Sequence, residues 1–470
     1  MAFLYEQLEQ QLREQIESGQ LAYGSRLPSV REVCTEQGLS KSTVLNAYAR
    51  LEAAGLIRAR AKSGYFVCQE SHEPAVTRPS QPDMEPAYIS ADSLLLDIMQ
   101  QSAAFDIRPD FTPTQYSEPL RRCLARAARS QRGEEQHYYD EPAGLLGLRQ
   151  QLVRRCAEGG SHVDAEDIIV TGGCQHSLLL ALMAVTRPGD TVAVESPGFY
   201  GVLQLIEALG LKAVEVPSSP ATGISPDALE MAIRHWQIKA AVLMPSFATP
   251  TGACMPEQHK KKILSLAREQ DVVLIEDDIY GDLAFGLQRP RTLYSYAQEM
   301  AAADQMILCS SFSKSLSRDL RIGWIVPGRF HARITKLKLV TQLACSRTTQ
   351  TALQMFFEEG SFDRYLRQKR QQLSDQCRQL QQLIRDFFPQ ALSCSQPKGG
   401  LALWLELPET IDTVALYNLA RKEAISLTPG RLFTSQQRYN NCLRLSFAQP
   451  WNEDRVAALK RVAELVNNSS

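Results

Sequence analysis

The sequence predicts a multidomain protein: a small α+β head, an α/β body and a smaller α+β domain at the C-terminal end. The chain has 470 residues, which is long for a single domain. Helical periodicity in residues 1–68 gives way to a proline-rich stretch, and beyond it seven short apolar runs alternate with helical segments. With 44% hydrophobic and 22% charged residues, the composition excludes collagen-like and largely disordered proteins.

Global features indicate a soluble cytoplasmic protein. The eleven cysteines are spread through the chain without a CxxC pair, and there is no HExxH, so we expect free thiols and no metal site. The N-terminal segment lacks a basic start followed by an apolar run, and no later stretch approaches the roughly 18 apolar residues of a membrane span. The net charge of -1 does not by itself indicate nucleic acid or a membrane as partner.

Residues 1–68 have the pattern of a winged helix-turn-helix domain. A first helix is predicted by apolar residues that recur every four positions, at Leu4, Leu8, Leu12 and Ile16. Two short amphipathic helices follow at 28–37 and 39–54, the second with Ser40 as its N-cap. Residues 56–67 then alternate around a Lys-Ser-Gly turn, as a plain hairpin or the wing of a winged helix would.

Local charge favours DNA binding for this head. Residues 22–68 contain seven basic and three acidic side chains, a balance of +4 that coincides with the predicted recognition helix and wing. Scattered surface arginines are usually just solvated, but here they coincide with the motif. Residues 69–90 then contain four prolines and little apolar periodicity, which predicts an extended linker and a domain boundary.

Residues 91–470 predict the body, with a large α/β subdomain over about 130–335 and a small α+β subdomain over about 340–470. The large subdomain contains the seven apolar runs, which suit a mostly parallel sheet. The small one contains two long helical patterns followed by LALWLELP and CLRLSFA. The sequence shows no internal repeat.

Three segments that follow predicted strands carry groups suited to a flat, phosphorylated ligand. The glycine turn at 171–182 opens a helix whose N-terminus can hold a phosphate. In 195–201, an aromatic loop can cover a ring. Asp277 and Tyr280 lie at the carboxyl end of an apolar strand, where a carboxylate can hold a protonated pyridine nitrogen and a phenol can hold a ring oxygen. Each segment alone is a weak signal, and their order along the chain is the strong one.

Two further segments carry basic groups. Lys314 follows a strand, where a lysine can form a Schiff base with an aldehyde cofactor, and Ser311 and Arg321 beside it can hold an anion. Arg444 offers a bidentate fork for a carboxylate. Ser311 and Lys314 also spell SxxK, the motif of serine β-lactamases, but no SDN or KTG element accompanies it and the motif follows a sheet strand, so we reject that assignment.

Motifs along almost the whole chain carry a family resemblance. The segments GSRLPSVRE, LSKSTVLNAYARLEAAGLI and SGYFV resemble the winged helix-turn-helix of the GntR family. Residues 91–470 resemble a fold-type I, pyridoxal phosphate-dependent aminotransferase. A GntR head, a proline-rich linker and an aminotransferase-like body together resemble the MocR subfamily of bacterial transcriptional regulators.

The resemblance implies catalytic and cofactor-binding roles in the body. Lys314 matches the internal aldimine lysine, Asp277 the pyridinium partner and Tyr280 the donor to the cofactor's phenolic oxygen. Phe199 matches the ring-stacking aromatic residue, and Arg444 matches the arginine that binds an amino acid's α-carboxylate. The cofactor implied is pyridoxal 5'-phosphate, and no metal is implied.

The resemblance also implies a phosphate site and a DNA-binding surface. The positions that match phosphate-binding residues are Cys174, Gln175, Ser311, Arg321 and, from across a dimer interface, Tyr139. In the head, the positions that match DNA contacts are Arg31, Lys41, Ser42, Thr43 and Gly64, with Arg50 and Lys62 as phosphate contacts.

Two departures from the aminotransferase pattern bear on catalysis. The family's NPTG element, whose Asn bonds the phenolic oxygen, reads TPTG here, so Thr249 replaces that Asn with a shorter side chain. Arg318 and Asp319 stand where the lysine loop usually continues with Pro-Gly. These changes leave cofactor binding as the expectation and make efficient transamination the weaker one.

The leading hypothesis is a homodimeric DNA-binding regulator that holds pyridoxal phosphate through Lys314 and senses an amino acid or amine. The alternative is a working aminotransferase with an accessory head, which the charged head and Thr249 both disfavour. A regulator with a dead pocket is disfavoured because Lys314, Asp277, Tyr280 and Arg444 are all present.

Overall fold

The computed structural model describes residues 4–17, 20–21, 25–53, 56–60, 64–67, 79–89, 98, 106–108, 116–131, 140–286, 288–388 and 393–468. The chain divides into two compact units, residues 1–75 and residues 76–470. Every helix within these described residues is too short or too polar to cross a membrane. The ten cysteines among them are free thiols.

The first unit has three helices followed by a hairpin within its described residues, α1 (Leu4–Glu17), α2 (Val30–Gln37), α3 (Lys41–Ala53), β1 (Ile57–Arg60) and β2 (Gly64–Val67). A capping box starts α2, because Ser29 Oγ accepts from the Glu32 N–H at 3.2 Å and Glu32 bonds the Ser29 N–H in return. Gly38, with φ of +64°, ends it. The predicted winged helix-turn-helix is confirmed.

A separate small core holds the first unit together. It includes Leu8, Leu12, Ile16, Leu27, Val33, Val44, Tyr48, Leu51, Ile57 and Val67. The periodic face predicted for α1 is therefore buried from Leu8 onward, whereas Leu4 at its start is 59% exposed. Tyr48 also donates its hydroxyl to the Pro28 carbonyl at 2.7 Å, which ties α3 to the residues before α2.

A mixed sheet forms the centre of the second unit. Its strands in the described residues are β3 (Ala87–Tyr88), β4 (Ile169–Thr171), β5 (Thr191–Ser196), β6 (Lys212–Ser219), β7 (Gly223–Ile224), β8 (Ile238–Leu243), β11 (Val273–Asp277), β12 (Met306–Ser311) and β13 (Gly323–Val326), with the short pair β9 (Ser246–Ala248) and β10 (Ala253–Cys254) outside it. The strands follow the order β3-β6-β5-β8-β11-β12-β13-β4, and the five neighbours β6, β5, β8, β11 and β12 are parallel. The predicted α/β body is confirmed.

Helices surround this sheet: α4 (Glu118–Ser130), α5 (Leu146–Glu158), α6 (Cys174–Val185), α7 (Tyr200–Ala208), α8 (Pro226–His235), α9 (Glu257–Glu269), α10 (Leu293–Glu299), α11 (His331–Thr341), α12 (Arg347–Glu358) and α13 (Ser361–Phe387). The central strands are buried on both faces, as expected for a parallel sheet between helices. Apolar residues on the two faces therefore belong to two different clusters.

A three-stranded antiparallel sheet lies near the C-terminal end of the described chain. It pairs β14 (Ser393–Cys394), β15 (Ala402–Glu406) and β16 (Cys442–Ser446), and α14 (Thr413–Ala420) and α15 (Glu453–Asn468) accompany it. Trp404 stands opposite Arg444 in the register. This arrangement corresponds to the small α+β subdomain that the sequence predicts.

The second half of the predicted linker is packed on the second unit. Residues 87–88 add a strand to the large sheet, with Ala87 opposite Ala213 on β6. Pro82 and Ile89 are buried. Prolines and polar residues obscured this docking in the sequence, because it depends on the partner strand and not on the segment's own periodicity.

Candidate functional site

The carboxyl ends of the central strands lie at one edge of the large sheet. The register pairs Asp277 on β11 with Cys309 on β12, and Glu276 with Leu243 on β8. The segments that follow these strands therefore leave from the same edge, which is where ligands bind in sheets of this kind.

Asp277 is the buried acidic group of this edge. It is the last residue of β11 and is 2% exposed. Its Oδ1 accepts from the Cys174 thiol at 3.1 Å and from the Ile279 N–H at 3.1 Å. Burial raises the pKa of Asp277 to about 6, and the charge of Lys314 lowers it. A cation placed against this carboxylate would be held strongly.

A small cavity of about 20 Å³ lies beside Asp277 and is also lined by Glu195, Phe199 and Met244. Glu195 on β5 is 7% exposed, and its Oε1 has no hydrogen-bond partner among the described residues. Burial, with a smaller contribution from the charge of Asp277, raises the pKa of Glu195 to about 8 although the backbone N–H of Met244 bonds the carboxyl and lowers it. Sequence reasoning missed Glu195, which stands within the segment 195–201 but carries no signal of burial there.

Two glycines and an arginine form a cup at the start of α6. Gly173 has a φ of +104°, and a Cβ there would lie 2.8 Å from Arg321 Nη2. Arg321 donates to the Gly172 carbonyl at 2.8 Å and belongs to none of the ion pairs among the described residues. Cys174 and Gln175 begin the helix, so their N–H groups lie at its positive end. The cup combines the features of an anion site.

Ser311 lies next to this cup, because it pairs with Gly323, which packs against Gly173, and Lys314 stands in the turn that follows Ser311. Ser311 ends β12, and its buried hydroxyl lies 2.8 Å from that of Ser313. Lys314 stands in the turn 312–316 with its side chain exposed. The charge of Lys314 lowers the pKa of Asp277, against the larger effect of burial.

Thr249 and Arg444 lie together although 195 residues separate them in sequence. Arg444 Nε donates to Thr249 Oγ1 at 3.3 Å, and both residues are buried. Burial raises the pKa of Tyr200 to about 12, with smaller opposite effects from Arg444 and Tyr280. We group these four residues as one cluster, Thr249 by its hydrogen bond to Arg444 and the two tyrosines by electrostatic interaction.

The loop that carries Phe199 contacts both Tyr200 and the cup at the start of α6. Phe199 precedes α7, and its ring meets that of Tyr200 edge-on with centroids 4.8 Å apart. Gln175 Nε2 donates to the Gly201 carbonyl at 2.8 Å, which ties this loop to the cup. Tyr139, the remaining predicted phosphate contact, lies outside the described residues.

The predicted DNA-binding residues differ in their surroundings. Arg31 on α2 and Lys41 and Ser42 at the start of α3 are exposed. Thr43 is half-buried, and its hydroxyl lies 2.8 Å from that of Ser40. Arg50 bonds Glu9 of α1 at 2.6 Å while its side chain stays 51% exposed, so its phosphate contact remains a prediction.

The wing and the centre of α3 complete this surface. Gly64 begins β2 with φ of +99°, and a Cβ there would lie 3.1 Å from Arg26 Nε. Lys62 lies outside the described residues. Leu45 and Asn46 are exposed on α3 and were missed in the sequence, although an amide can read adenine and an apolar group can contact a thymine methyl.

Family comparisons agree with both units. The family "Aminotransferase class I and II" matches residues 111–462, and "Bacterial regulatory proteins, gntR family" matches residues 4–67. The chain is 39% identical to the HTH-type transcriptional regulator YjiR of Escherichia coli, over 98% of each chain. The chain belongs to the MocR subfamily of GntR-type regulators. A second relative, the HTH-type transcriptional regulator YdcR of the same organism, is 34% identical over 98% of each chain.

The fold of this MocR-type chain is also that of a solved aminotransferase. The α-aminoadipate aminotransferase LysN of Thermus thermophilus, in complex with N-(5'-phosphopyridoxyl)-L-leucine, superposes with a TM-score of 0.71 and 26% identity. The match covers 81% of this chain and 96% of LysN. The predicted fold-type I body is therefore confirmed.

Proposed function

We propose that the chain is a DNA-binding transcription regulator whose body binds pyridoxal 5'-phosphate through Lys314 and senses an amino acid or amine. The observation that carries the proposal is the buried Asp277 beside a glycine-arginine cup and an exposed lysine, in a chain that also has a winged helix-turn-helix. The relatives named as transcriptional regulators support the same reading.

The residues present fit this cofactor. Gly173 leaves space that a Cβ would fill, and Arg321 with the N-terminus of α6 suits its phosphate. Asp277 suits a protonated ring nitrogen, because that cation offsets the cost of a buried carboxylate. The bound cofactor supplies an electrophilic aldehyde carbon, to which the amine of Lys314 or of a ligand can bond.

The residues of this chain then divide the recognition of an effector. Arg444 suits the carboxylate of an amino acid, because its guanidinium is buried and held in place by Thr249. Tyr280 is buried in the same cluster, where its hydroxyl can donate to the cofactor's phenolic oxygen. Phe199 lines the small cavity beside Asp277, where its ring can stack on the cofactor ring.

We propose a homodimer joined through the bodies, which acts on double-stranded DNA and so in the cytoplasm. Leu146, Leu339, Val340 and Leu343 are exposed large apolar side chains, and Val340 is 84% exposed. Lys338 donates to the Pro142 carbonyl, so the segments that carry these side chains are neighbours. A second copy would cover them. Sedimentation of Val340→Glu tests this, and an unchanged molecular mass in that variant contradicts it.

The test of cofactor and sensing is the visible absorbance of the purified chain, titrated with pyridoxal phosphate and then with amino acids and amines. We expect a visible band that is absent in Lys314→Ala and that moves to a new stable position with one ligand. Lys336→Ala changes a lysine on α11 and is the matched control. A band that persists in Lys314→Ala contradicts the assignment.

The same titration tests the alternative function. If the band bleaches with an amino acid and a keto acid restores it, the body transaminates and the chain is an aminotransferase with an accessory head. A ligand-bound band that stays stable supports a sensor.

A further inference from the structure

The docked segment 79–89, which we call the strap, is hydrogen-bonded to the body at several points. Its Ser80 N–H donates to the Ser218 carbonyl at 3.1 Å, and Ser80 Oγ accepts from the Ser218 N–H at 2.8 Å. The backbone of Asp83 exchanges two bonds with the side-chain amide of Gln436, at 2.9 and 2.7 Å. The strap thus contacts both the large sheet and the loop before β16.

Ser80 also reaches the loop that carries Phe199. Its hydroxyl donates to the carbonyl of Ser196, the last residue of β5 and three positions before Phe199. The Gly198 N–H in that loop donates to the Phe433 carbonyl at 2.9 Å. The aromatic loop of the site is therefore held between the strap on one side and residue 433 on the other.

A buried carboxylate joins these pieces. Glu215 on β6 is 2% exposed and accepts from the hydroxyl of Ser196. It also accepts from the Thr434 hydroxyl at 2.7 Å and from both the N–H and the hydroxyl of Ser435 at 2.7 Å. The Ser196 hydroxyl lies a further 2.9 Å from that of Tyr439.

Such a cluster responds as a unit. A buried carboxylate oxygen that loses its hydrogen-bond donor raises the free energy of the folded state. The loops around Glu215 therefore keep their mutual arrangement or change it together. Phe433 and Thr434 precede β16, which carries Arg444 of the site. A ligand that engages Phe199 on one side and Arg444 on the other contacts the Phe199 loop and the strand that follows the Thr434 loop, and these two loops meet at Glu215.

We propose that Ser80 and Glu215 are positioning residues of the Phe199 loop, and that through them the occupancy of the site controls how firmly the strap is docked. The inference rests on the proposed function, because it needs a ligand at that site. Ser80 and Glu215 do not touch the ligand and act through Ser196. The strap precedes the rest of the described body in the chain.

The experiment is hydrogen exchange of the full chain, followed in peptides that cover residues 79–89. The probes are no ligand, pyridoxal phosphate, and N-(5'-phosphopyridoxyl)-L-leucine, which carries both the cofactor ring and an α-carboxylate. Because the adduct carries groups for both Phe199 and Arg444, we expect it to slow hydrogen exchange in the strap at least threefold relative to the unliganded chain.

Matched variants test whether the effect of the ligand on the strap passes through Ser80 and Glu215. Ser80→Ala should keep the visible band with pyridoxal phosphate but lose the exchange response, and Ser80→Thr, which retains a hydroxyl, should restore it. Glu215→Gln tests the same junction from the body. Glu85→Gln changes an exposed residue of the strap and should leave the response intact.

The outcomes separate the two proposals. A wild-type chain without a visible band rejects the proposed function and this inference with it. A normal band with unchanged or faster strap exchange rejects the inference alone. So does a response that survives in Ser80→Ala, because the coupling would then bypass Ser80.

Discussion

The candidate DNA-binding cations of the head and the candidate-site carboxylates of the body lie in opposite surroundings. In the head, Arg31 and Lys41 are exposed to solvent. In the body, Asp277 and Glu195 are buried, and burial raises the pKa of both. Exposed charges cost little to keep and act on a polyanion at a distance, whereas a buried carboxylate gains most from a partner within reach. Under the proposed function, the head needs no further group to attract DNA, whereas the body needs a cation beside Asp277.

The two units also differ in the size of their cores, and the largest predicted effect exploits this. Leu51→Ala removes a fully buried side chain from the small core of the head. We expect a loss of about 3 kcal/mol or more from the head's stability, because large-to-small core changes cost about 2–5 kcal/mol. DNA binding should disappear while the visible band stays. Circular dichroism measures the folding of the head, and visible absorbance measures cofactor binding by the body. Loss of the visible band as well would contradict the independent stability of the two units.

Asp277→Asn should raise the stability of the unliganded body and lower its affinity for the cofactor. Burial raises the pKa of Asp277 from 3.8 to about 6, so the folded state bears a growing cost as the pH rises from about 4, and the cost is complete above about pH 6. A shift of two units corresponds to about 3 kcal/mol. The unliganded variant should therefore be more stable than the wild type at pH 8 and lose this advantage near pH 4, while its cofactor affinity falls.

Urea unfolding at the two pH values and a cofactor titration check this prediction. Glu269→Gln, at an exposed carboxylate on α9, is the control and should change neither quantity. If Asp277→Asn is no more stable than the wild type at pH 8, the carboxylate is not under the strain of burial that we infer.

In the head, Arg31→Ala and Lys41→Ala should weaken DNA binding without altering cofactor absorbance. Loss of one phosphate contact typically lowers the salt dependence of log K by about one unit, and we expect affinity to fall about tenfold for each. Arg50→Ala is the informative comparison, because Arg50 bonds Glu9 and should affect head stability more than the salt slope. Fluorescence anisotropy at several salt concentrations distinguishes these effects. Equal salt slopes for all three variants would remove the distinction.

Sequence patterns predicted the strands of the body well because long apolar runs leave little choice. The runs at 191–196 and 306–311 match the bounds of β5 and β12. Asp277 could be placed at a strand end for the same reason. The burial of Glu195 could not be foreseen, because it depends on residues from β8 and the Phe199 loop.

The sequence also did not predict contacts between segments that are far apart in the chain. The thiol of Cys174 bonds Asp277, and the hydroxyl of Thr249 bonds Arg444, across 103 and 195 residues. The sequence predicts an extended linker at the strap because prolines interrupt its apolar periodicity. The backbone of residues 87–88 nevertheless pairs with β6. Local periodicity carries no information about which remote backbone or side chain completes a hydrogen bond.

The smallest predicted effect concerns Thr249, where the chain departs from the aminotransferase pattern. Thr249→Asn adds an amide that can still accept from Arg444 and can also donate to the cofactor's phenolic oxygen. One added hydrogen bond contributes about 1 kcal/mol, so we expect the cofactor to bind about fivefold more tightly. Thr249→Val removes the acceptor for Arg444 and should weaken the response to amino acids more than cofactor binding itself. Absorbance titrations separate the two constants. If Thr249→Asn binds the cofactor no better, the hydroxyl of Thr249 is already sufficient, and the body lies closer to a working aminotransferase than its sequence indicates.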